Sequence, residues 1–382
     1  MTEKPLVGLV GCGHRLTGLA GYLKDKVQIR AICEPDSKCA DNFRKLIPGD
    51  YSVTSGYDEF LEQGGMDWVM VGSPNNMHKE HIVKAFEAGL NVFAEKPLAT
   101  TIDDCVAVCD AHRRSGKQFA TGFVLRFSPH YLKIKELLDS GAVGDIISFE
   151  FDECIPHYHG GHIMKGWRRF KEISGGHIVE KCCHDIDLAN WFTGSTAGRA
   201  ASFGGLNFFK PENAGIIDEI GPDSGGCKAY SEWQHVTTQD TCPFNSGKTI
   251  IDNQVAIIEY RNGVRATFHA NLNTGLKKRG FYICGTRGTL ESEWYSGRIL
   301  LQKIGHGLPV EDFSTPAVTG SHGGADEIIM DSLYETMTTG KKPLCGGLEG
   351  LLSTVTAIAI QQAMEKGEII NLNDIWRKLN IR

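Results

Sequence analysis

Short apolar runs alternate with amphipathic stretches through the first third of the chain. Helical periodicity lies between the runs, for example over residues 79–88 and in the segment that opens at Thr101. Strands that alternate with helices over short connections predict a doubly wound parallel sheet. We predict this α/β unit for residues 1–124. Its buried strands are expected over residues 6–10, 27–33, 66–72, 91–94 and 118–123.

From residue 125 onward the pattern is typical of antiparallel sheet, with strand-like segments joined by tight turns. Helices over residues 130–140, 176–192, 326–340 and 349–366 would cover one face of that sheet. Residues 205–250 are rich in Gly, Pro, Asn and Asp and predict a long loop, which fits either a binding role or a plain surface insertion. The expected second domain is therefore an α/β unit over residues 125–382 with an open, mostly antiparallel sheet.

Charge and composition exclude several classes of protein. The net charge is −6 and no block of Lys or Arg occurs, which argues against a nucleic-acid partner. No apolar run is long enough to span a membrane, and the first residues lack the features of a signal peptide. The 12 cysteines contain no C-x-x-C pair. We therefore expect a cytoplasmic protein with no membrane partner.

A glycine-rich turn follows the first strand and opens a helix. Gly11 and Gly13 would let a pyrophosphate approach the backbone, although Leu16 replaces the third small residue of the dinucleotide fingerprint, so an ordinary tight turn also fits. Glu34 lies 34 − 13 = 21 residues past the second glycine, at a strand end. A carboxylate there can hold a ribose 2′-hydroxyl and would repel a 2′-phosphate, which predicts NAD rather than NADP. The alternative is a solvated acid at the end of a strand.

Polar residues follow two further strands of the same unit. Ser73, Pro74, Asn75 and His78 come after the strand at 66–72, where the chain lines the ligand crevice of a parallel sheet. Lys96 follows the strand at 91–94, where a bound dinucleotide would present its nicotinamide.

Two histidine-containing segments lie in the second part of the chain. Glu180 and His184 are four residues apart and would share one face of a helix, which suits acid–base chemistry but also fits a surface ion pair. His157, His159 and His162 lie in a glycine-rich segment that we expect to be a loop. They are interpreted as substrate contacts or solvated side chains, and we predict no metal site.

These motifs together resemble the family of glucose–fructose oxidoreductase, inositol dehydrogenase and MocA-like proteins. The resemblance spans essentially the whole chain, and the order of its segments is specific. The matching segments are Gly8–Gly13, Gly72–Asn75 with His78, Ala94–Ala99, Trp167-Arg168, Gly175–Asp187 and His322–Asp326.

The resemblance implies an N-terminal Rossmann domain and a C-terminal α/β domain whose sheet forms a homodimer or homotetramer. It assigns Lys96 and His184 the catalytic roles, with Glu180 standing where the family usually has Asp. Expected substrate contacts are Lys96, Arg126, His157, Lys181 and His184; Lys181 would contact a sugar hydroxyl or pair with Asp185. Expected cofactor contacts are Gly11, Gly13, His14, Arg15, Glu34, Ser73, Pro74, Asn75, His78, Glu95, Lys96, Trp167 and Arg168.

The resemblance further implies an NAD-dependent oxidoreductase that transfers a hydride from a secondary alcohol of a sugar, polyol or glycoside. Two alternatives remain at this point. One is redox-neutral cleavage of a glycoside through a transient keto-sugar, and the other is a non-catalytic NAD-binding protein, which would need neither Lys96 nor His184.

Overall fold

The computed structural model describes residues 3–230, 241–320, 322–379 and 381. Its strands are β1 Leu6–Val10, β2 Gln28–Cys33, β3 Ser52–Thr54, β4 Trp68–Val71, β5 Asn91–Ala94, β6 Phe119–Thr121, β7 Ile146–Pro156, β8 Ala197–Gly205, β9 Asn253–Tyr260, β10 Arg265–Thr274, β11 Gly280–Gly285, β12 Gly288–Glu293, β13 Arg298–Lys303, β14 Val310–Asp312 and β15 Ile370–Asn371. Its α-helices are α1 His14–Leu23, α2 Ser37–Leu46, α3 Tyr57–Glu62, α4 His78–Glu87, α5 Ile102–Ser115, α6 Pro129–Asp139, α7 His157–Lys165, α8 Lys171–Ser174, α9 His177–Glu180, α10 Cys183–Thr193, α11 Ile216–Ile220, α12 Ala325–Thr339, α13 Gly347–Lys366 and α14 Asn373–Lys378.

The contacts between Cα atoms divide the chain into two units. The first contains residues 1–128 and 319–355, and the second contains residues 129–318 and 356–382. The sequence had suggested one boundary at 124/125, with all later residues in the second domain. Residues 319–355 instead group with the first unit, because α12 packs against α1.

A six-stranded parallel sheet forms the first unit, in the order β3-β2-β1-β4-β5-β6. Every residue of β4 is buried, as expected for a parallel strand with both faces covered. Two helix starts follow from capping side chains: Asp36 accepts the backbone N–H groups of Lys38 and Cys39, and Thr101 accepts that of Asp104. The predicted doubly wound sheet is confirmed.

A nine-stranded sheet forms the second unit, in the order β14-β13-β12-β11-β7-β10-β9-β8-β15. Only β7 and β10 pair in parallel, so the predicted mostly antiparallel sheet is also confirmed. Burial alternates strictly along β9 and β10, because one face of the sheet is covered and the other is open. Strand β8 and the two edge strands β14 and β15 lie outside the predicted strands.

Two local predictions are wrong. The segment that contains His157, His159 and His162 is helix α7 rather than a loop. The helix expected over 176–192 is broken between α9 and α10, because Lys181 and Cys182 lie outside both.

The described residues of 205–250 are mostly irregular, as predicted, apart from α11 and a 3₁₀ turn over Pro211–Asn213, and they also contribute to a core. Phe209, Tyr230 and Phe244 form a buried cluster with Ile163 and Met164 of α7. Residues 231–240 of this segment lie outside the described part of the chain.

All 12 cysteines are free. Among the described residues, no helix is both long and apolar enough to cross a membrane.

Candidate active site

The glycine-rich turn lies at the carboxyl end of β1, where the strand order of the first sheet reverses. Gly11 has φ +85°, and a Cβ there would lie 2.8 Å from the backbone of Gly72 and Ser73. Gly13 precedes α1, whose N-terminus has no capping side chain. The backbone N–H groups of that first turn therefore remain as donors for an anionic group such as a pyrophosphate.

Glu34 lies beside this turn at the end of β2. Its Oε2 accepts the backbone N–H of Cys12 at 2.7 Å, and its Oε1 accepts that of Asp36 at 2.9 Å. The carboxylate is thereby held against the glycine-rich turn, in the position from which a Rossmann acid binds a ribose hydroxyl. Together, the turn and Glu34 fit a nicotinamide dinucleotide.

Arg15, in the first turn of α1, forms two ion pairs. Its Nε donates to Oε1 of Glu95 at 2.8 Å, and its Nη1 donates to Oδ1 of Asp326 at 2.5 Å. The other carboxylate oxygen of Glu95 accepts the backbone N–H of Lys96 at 3.2 Å. The guanidinium that we expected to contact the cofactor therefore holds the segment carrying Lys96.

Asp326 has a second partner besides Arg15. Nδ1 of His322 lies 3.2 Å from both carboxylate oxygens. Burial acts to raise the pKa of Asp326, but the hydrogen bond and charge of His322 and those of Arg15 outweigh it, so the pKa falls to about 2. The carboxylate is charged throughout the neutral range.

Asp326→Asn should lower the free energy of unfolding by about 2 kcal/mol at pH 7. Because the folded pKa is depressed, this stabilisation is complete above the ordinary Asp pKa, near 4, and is lost as the pH falls toward 2. Urea unfolding of both proteins between pH 7 and pH 3 measures it, and the difference between them should narrow below pH 4. Asp331→Asn, at an exposed ion pair on the same helix, is the control; a constant difference across the pH range would contradict the assignment.

His78 connects two loops at the carboxyl edge of the parallel sheet. Its Nδ1 lies 2.7 Å from the carbonyl oxygen of Pro97, and its Nε2 lies 2.9 Å from that of Ser73. Burial lowers the pKa of this imidazole, so the ring is neutral and donates to one of the two carbonyls. Ser73 Oγ contacts Nδ1 of His81 at 2.9 Å. Both predicted cofactor residues therefore contact the protein itself, and their contact with the cofactor stays a prediction.

The remaining predicted residues of the first unit differ in exposure. Asn75 and Arg126 are buried, Lys96 and Pro74 are at or near the surface of the edge loops, and His14 is exposed. Arg126 lies in a short 3₁₀ helix over Val124–Phe127.

In the second unit, Glu180 and His184 flank a break between two helices. Gly176 has φ +100° and precedes α9, which ends at Glu180; His184 lies in the first turn of α10 and is 3% exposed. Nε of Arg168 donates to Oε1 of Glu180 at 3.0 Å, and the same guanidinium lies over the ring of Trp167 at 4.5 Å. Arg168 and Trp167 are thus tied to the turn that carries the expected acid–base residues.

A buried group of charges lies against this turn. Nζ of Lys181 is 3.7 Å from Oε1 of Glu153, an ion pair that the sequence did not predict. Arg279 makes a bidentate pair with Asp185 at 2.7 and 2.8 Å, and its Nη1 is 3.6 Å from Glu153. Burial acts to raise the pKa of Glu153, but Lys181 and Arg279 outweigh it, so the pKa is lowered.

Glu153, His177 and Cys182 have ligand atoms within 4.8 Å of one another, and all three are buried. One observation argues against a metal ion there: Lys181 and Arg279 already pair with Glu153 and offset its charge. We assign no metal to this group.

The sequence reasoning missed the importance of Glu153 and Arg279. One signal was present in β7, whose inward-facing positions are Phe149, Phe151, Glu153 and Ile155. A carboxylate thus occupies a position where the alternation of the strand predicts an apolar side chain. Its partners lie far away along the chain and could not be paired with it from the sequence.

The two units thus define a class of protein: a parallel dinucleotide-binding sheet joined to an α/β unit that carries a buried histidine. The family model described as "Oxidoreductase family, NAD-binding Rossmann fold" matches residues 6–123, and that described as "Oxidoreductase family, C-terminal alpha/beta domain" matches residues 135–372. The chain therefore belongs to the Gfo/Idh/MocA oxidoreductase family.

Known proteins agree with this membership. The chain is 25% identical to putative oxidoreductase YteT of Bacillus subtilis, over 100% of this chain and 96% of that one. It is 28% identical to D-glucoside 3-dehydrogenase of Escherichia coli, over 69% of each chain. A solved structure of levoglucosan dehydrogenase with NADH and levoglucosan shares the fold, with a TM-score of 0.78 at 18% identity over 97% of this chain and 99% of that one.

Proposed function

We propose that this protein oxidises a secondary alcohol of a sugar, polyol or glycoside and uses NAD as the hydride acceptor. One observation carries the proposal: Arg15 ties Glu95, and with it the backbone of Lys96, to the helix that follows the glycine-rich turn. The backbone from which the Lys96 ammonium group extends is thereby held at the same sheet edge as the dinucleotide turn. A protein that only bound NAD would not need it there.

The nicotinamide, when bound, supplies the acceptor for the hydride that leaves the substrate carbon. His184 accepts the proton of the substrate hydroxyl, and Lys96 donates a hydrogen bond that stabilises the developing alkoxide. Glu180, held by Arg168, orients a substrate hydroxyl or His184. Lys181, Arg126 and His157 are the further substrate contacts that we propose.

The proposed cofactor contacts are the backbone of Gly11 and Gly13, Glu34 for the ribose, and the edge-loop residues His14, Ser73, Pro74, Asn75, His78, Glu95 and Lys96, with Trp167 and Arg168 from the second unit.

Arg15 is engaged by two carboxylates. It is therefore a poor partner for a 2′-phosphate, which supports NAD over NADP.

Glu34→Gln should reduce the preference for NAD over NADP by roughly ten- to a hundredfold, since it removes the charge that repels a 2′-phosphate and weakens a charge-assisted hydrogen bond. Its amide oxygen can still accept the N–H of Cys12. Titration of both cofactors against wild type and variant measures the change, with Glu59→Gln on exposed α3 as the control. An unchanged ratio of the two dissociation constants would refute the role of Glu34.

The test of the function is a panel assay on purified protein with NAD and with NADP. Suitable compounds are myo-inositol, D-glucose, levoglucosan and the p-nitrophenyl glucosides, with reduced cofactor and released p-nitrophenol both recorded. Net formation of reduced cofactor supports the proposed dehydrogenase. Release of p-nitrophenol without net reduction would instead support redox-neutral glycoside cleavage, and loss of NAD binding would remove both enzymatic functions.

We also propose that the open face of the nine-stranded sheet forms a homodimer or homotetramer. Phe203, Val255 and Ile257 on adjacent strands of that face are 76%, 48% and 61% exposed. Contiguous apolar surface of this kind is typical of a protein interface.

Ile257→Glu should dissociate the assembly, because it places a charge on the apolar face of each copy. Light scattering coupled to size exclusion would show the particle mass falling to the 41.9 kDa of one chain. Leu276→Glu, at a residue 88% exposed outside the strands, is the matched control. A wild-type mass of a single chain would remove the proposal.

A further inference from the structure

The turn from Glu180 to Asp185 is held by charged side chains from three different elements. Arg168, in the 3₁₀ helix Trp167–Arg169, pairs with Glu180. Glu153 of β7 lies next to both Lys181 and Cys182, whose Sγ is 3.8 Å from its Oε2. Arg279, directly before β11, pairs with Asp185. The backbone hydrogen bonding of a continuous helix is interrupted between α9 and α10. The charged contacts hold the turn in place instead.

The pair between Arg279 and Asp185 has the most restrictive geometry of the three. Nε and Nη2 of Arg279 donate to the two carboxylate oxygens at 2.7 and 2.8 Å, a fork geometry that fixes orientation as well as distance. The side chains are 3% and 1% exposed. Burial acts to lower the pKa of Arg279, but Asp185 and Glu153 outweigh it and raise the pKa well above its ordinary value, so the guanidinium is charged.

The backbone that carries Arg279 is itself anchored in the sheet. The carbonyl oxygen of Arg279 accepts the N–H of Trp294 at 2.8 Å. The preceding residue, Lys278, exchanges two backbone hydrogen bonds with Cys154 of β7, at 2.8 and 3.0 Å. The guanidinium therefore extends from a rigid part of the sheet, and Asp185 takes its position from it.

Asp185 directly follows His184 in the first turn of α10. The N-cap residue of this helix, Cys182, makes no side-chain capping hydrogen bond, and the carboxylate of Asp185 in the first turn is held by Arg279. A buried ion pair contributes little net stability compared with a well-packed apolar pair, whereas it does fix geometry. Arg279 therefore fixes the orientation of Asp185 and of the residues next to it.

We propose that Arg279 is a positioning residue for His184 and acts through Asp185; this inference rests on the proposed catalytic role of His184. In this arrangement the nine-stranded sheet, through Arg279, sets the direction of the imidazole. The other groups that face Arg279 are Glu153, Tyr131 and the ring of Trp294.

The test uses a double variant, Arg279→Met with Asp185→Leu, which removes both charges of the pair and leaves Glu153 with Lys181 as its cationic partner. It should fold with a melting temperature near that of wild type and bind NAD with an unchanged dissociation constant. Its kcat for the best compound of the panel should fall about a hundredfold, since small displacements of a catalytic group cost this much, while KM changes little. Arg279→Lys keeps the charge without the fork, and its kcat should lie between the two.

A readout independent of turnover comes from the imidazole NMR signals of histidine-labelled protein. The signal absent from His184→Asn identifies His184. It should shift and broaden in the double variant and in Arg279→Lys, and stay unchanged in Arg298→Met, which removes an exposed ion pair with Glu291 on the same sheet.

The outcomes separate this inference from the proposed function. If folded Arg279→Lys and the double variant keep both the wild-type kcat and the wild-type His184 signal, Arg279 is structural only and the inference fails. If the double variant does not fold, Arg279→Lys decides alone by the same two readouts. If His184→Asn retains full turnover, the proposed function fails instead, whatever Arg279 does.

Discussion

Lys96→Met should lower kcat for the best substrate by about 10²–10³-fold, because it removes the hydrogen-bond donor to the developing alkoxide. The substitution keeps an unbranched side chain, one atom shorter, and removes its charge. The backbone N–H of residue 96 can still donate to Glu95, so the edge loop keeps its anchor. Because Lys96 is also a proposed cofactor contact, NAD binding should weaken, but by much less than turnover falls.

Steady-state kinetics and a separate NAD titration measure the two effects. Lys84→Met on α4, where the lysine pairs with Asp58 and Glu80 at the surface, is the matched control and should behave as wild type. Full turnover of Lys96→Met with any compound that the wild type oxidises would show that the role given to Lys96 is wrong. An equal loss in NAD affinity and in kcat would mean that the side chain serves the cofactor instead.

His184→Asn should lower kcat by about 10²–10⁴-fold, the range that general acid–base catalysis contributes. Asparagine preserves hydrogen bonding and approximate volume at a site that is 3% exposed, but it cannot accept the substrate proton. The decline of kcat/KM toward low pH that a general base produces should also be absent from the variant.

The pH profile of kcat/KM in wild type and variant supplies the measurement, and His306→Asn at an exposed position is the control. A variant with reduced kcat but an unchanged pH profile would assign the general base to another group. Glu180 would then be the next residue to substitute, since it flanks the same turn.

The doubly wound sheet could be predicted because its signals are local. An apolar strand, a turn and an amphipathic helix follow one another within a few residues, and each pattern is complete within its own segment. The glycine-rich turn and Glu34 could be predicted for the same reason, because both lie at the ends of predicted strands. In the structure Glu34 directly follows β2 and accepts the backbone N–H of Cys12.

The second unit was harder to predict because tertiary contacts there override local pattern. The run from Gly176 to Phe192 has helical periodicity throughout, yet the helix breaks at Lys181 and Cys182. Glu153 of β7 and Arg279, directly before β11, form ion pairs with Lys181 and Asp185 of this turn, although both are distant from it in sequence. Likewise, Ile163 and Met164 of α7 pack against the aromatic cluster of residues 205–250.

The amino-acid sequence alone determined the class of fold and the glycine-rich edge with Glu34, because strand and helix periods are local properties. It singled out Lys96, Glu180 and His184 through the family resemblance, and their catalytic roles stay predictions. Only the tertiary structure decided that Arg15 serves Glu95 and Asp326, and that Arg279 holds Asp185. Ion pairs join residues hundreds or tens of positions apart, and their partners depend on which strands the folded sheet places side by side.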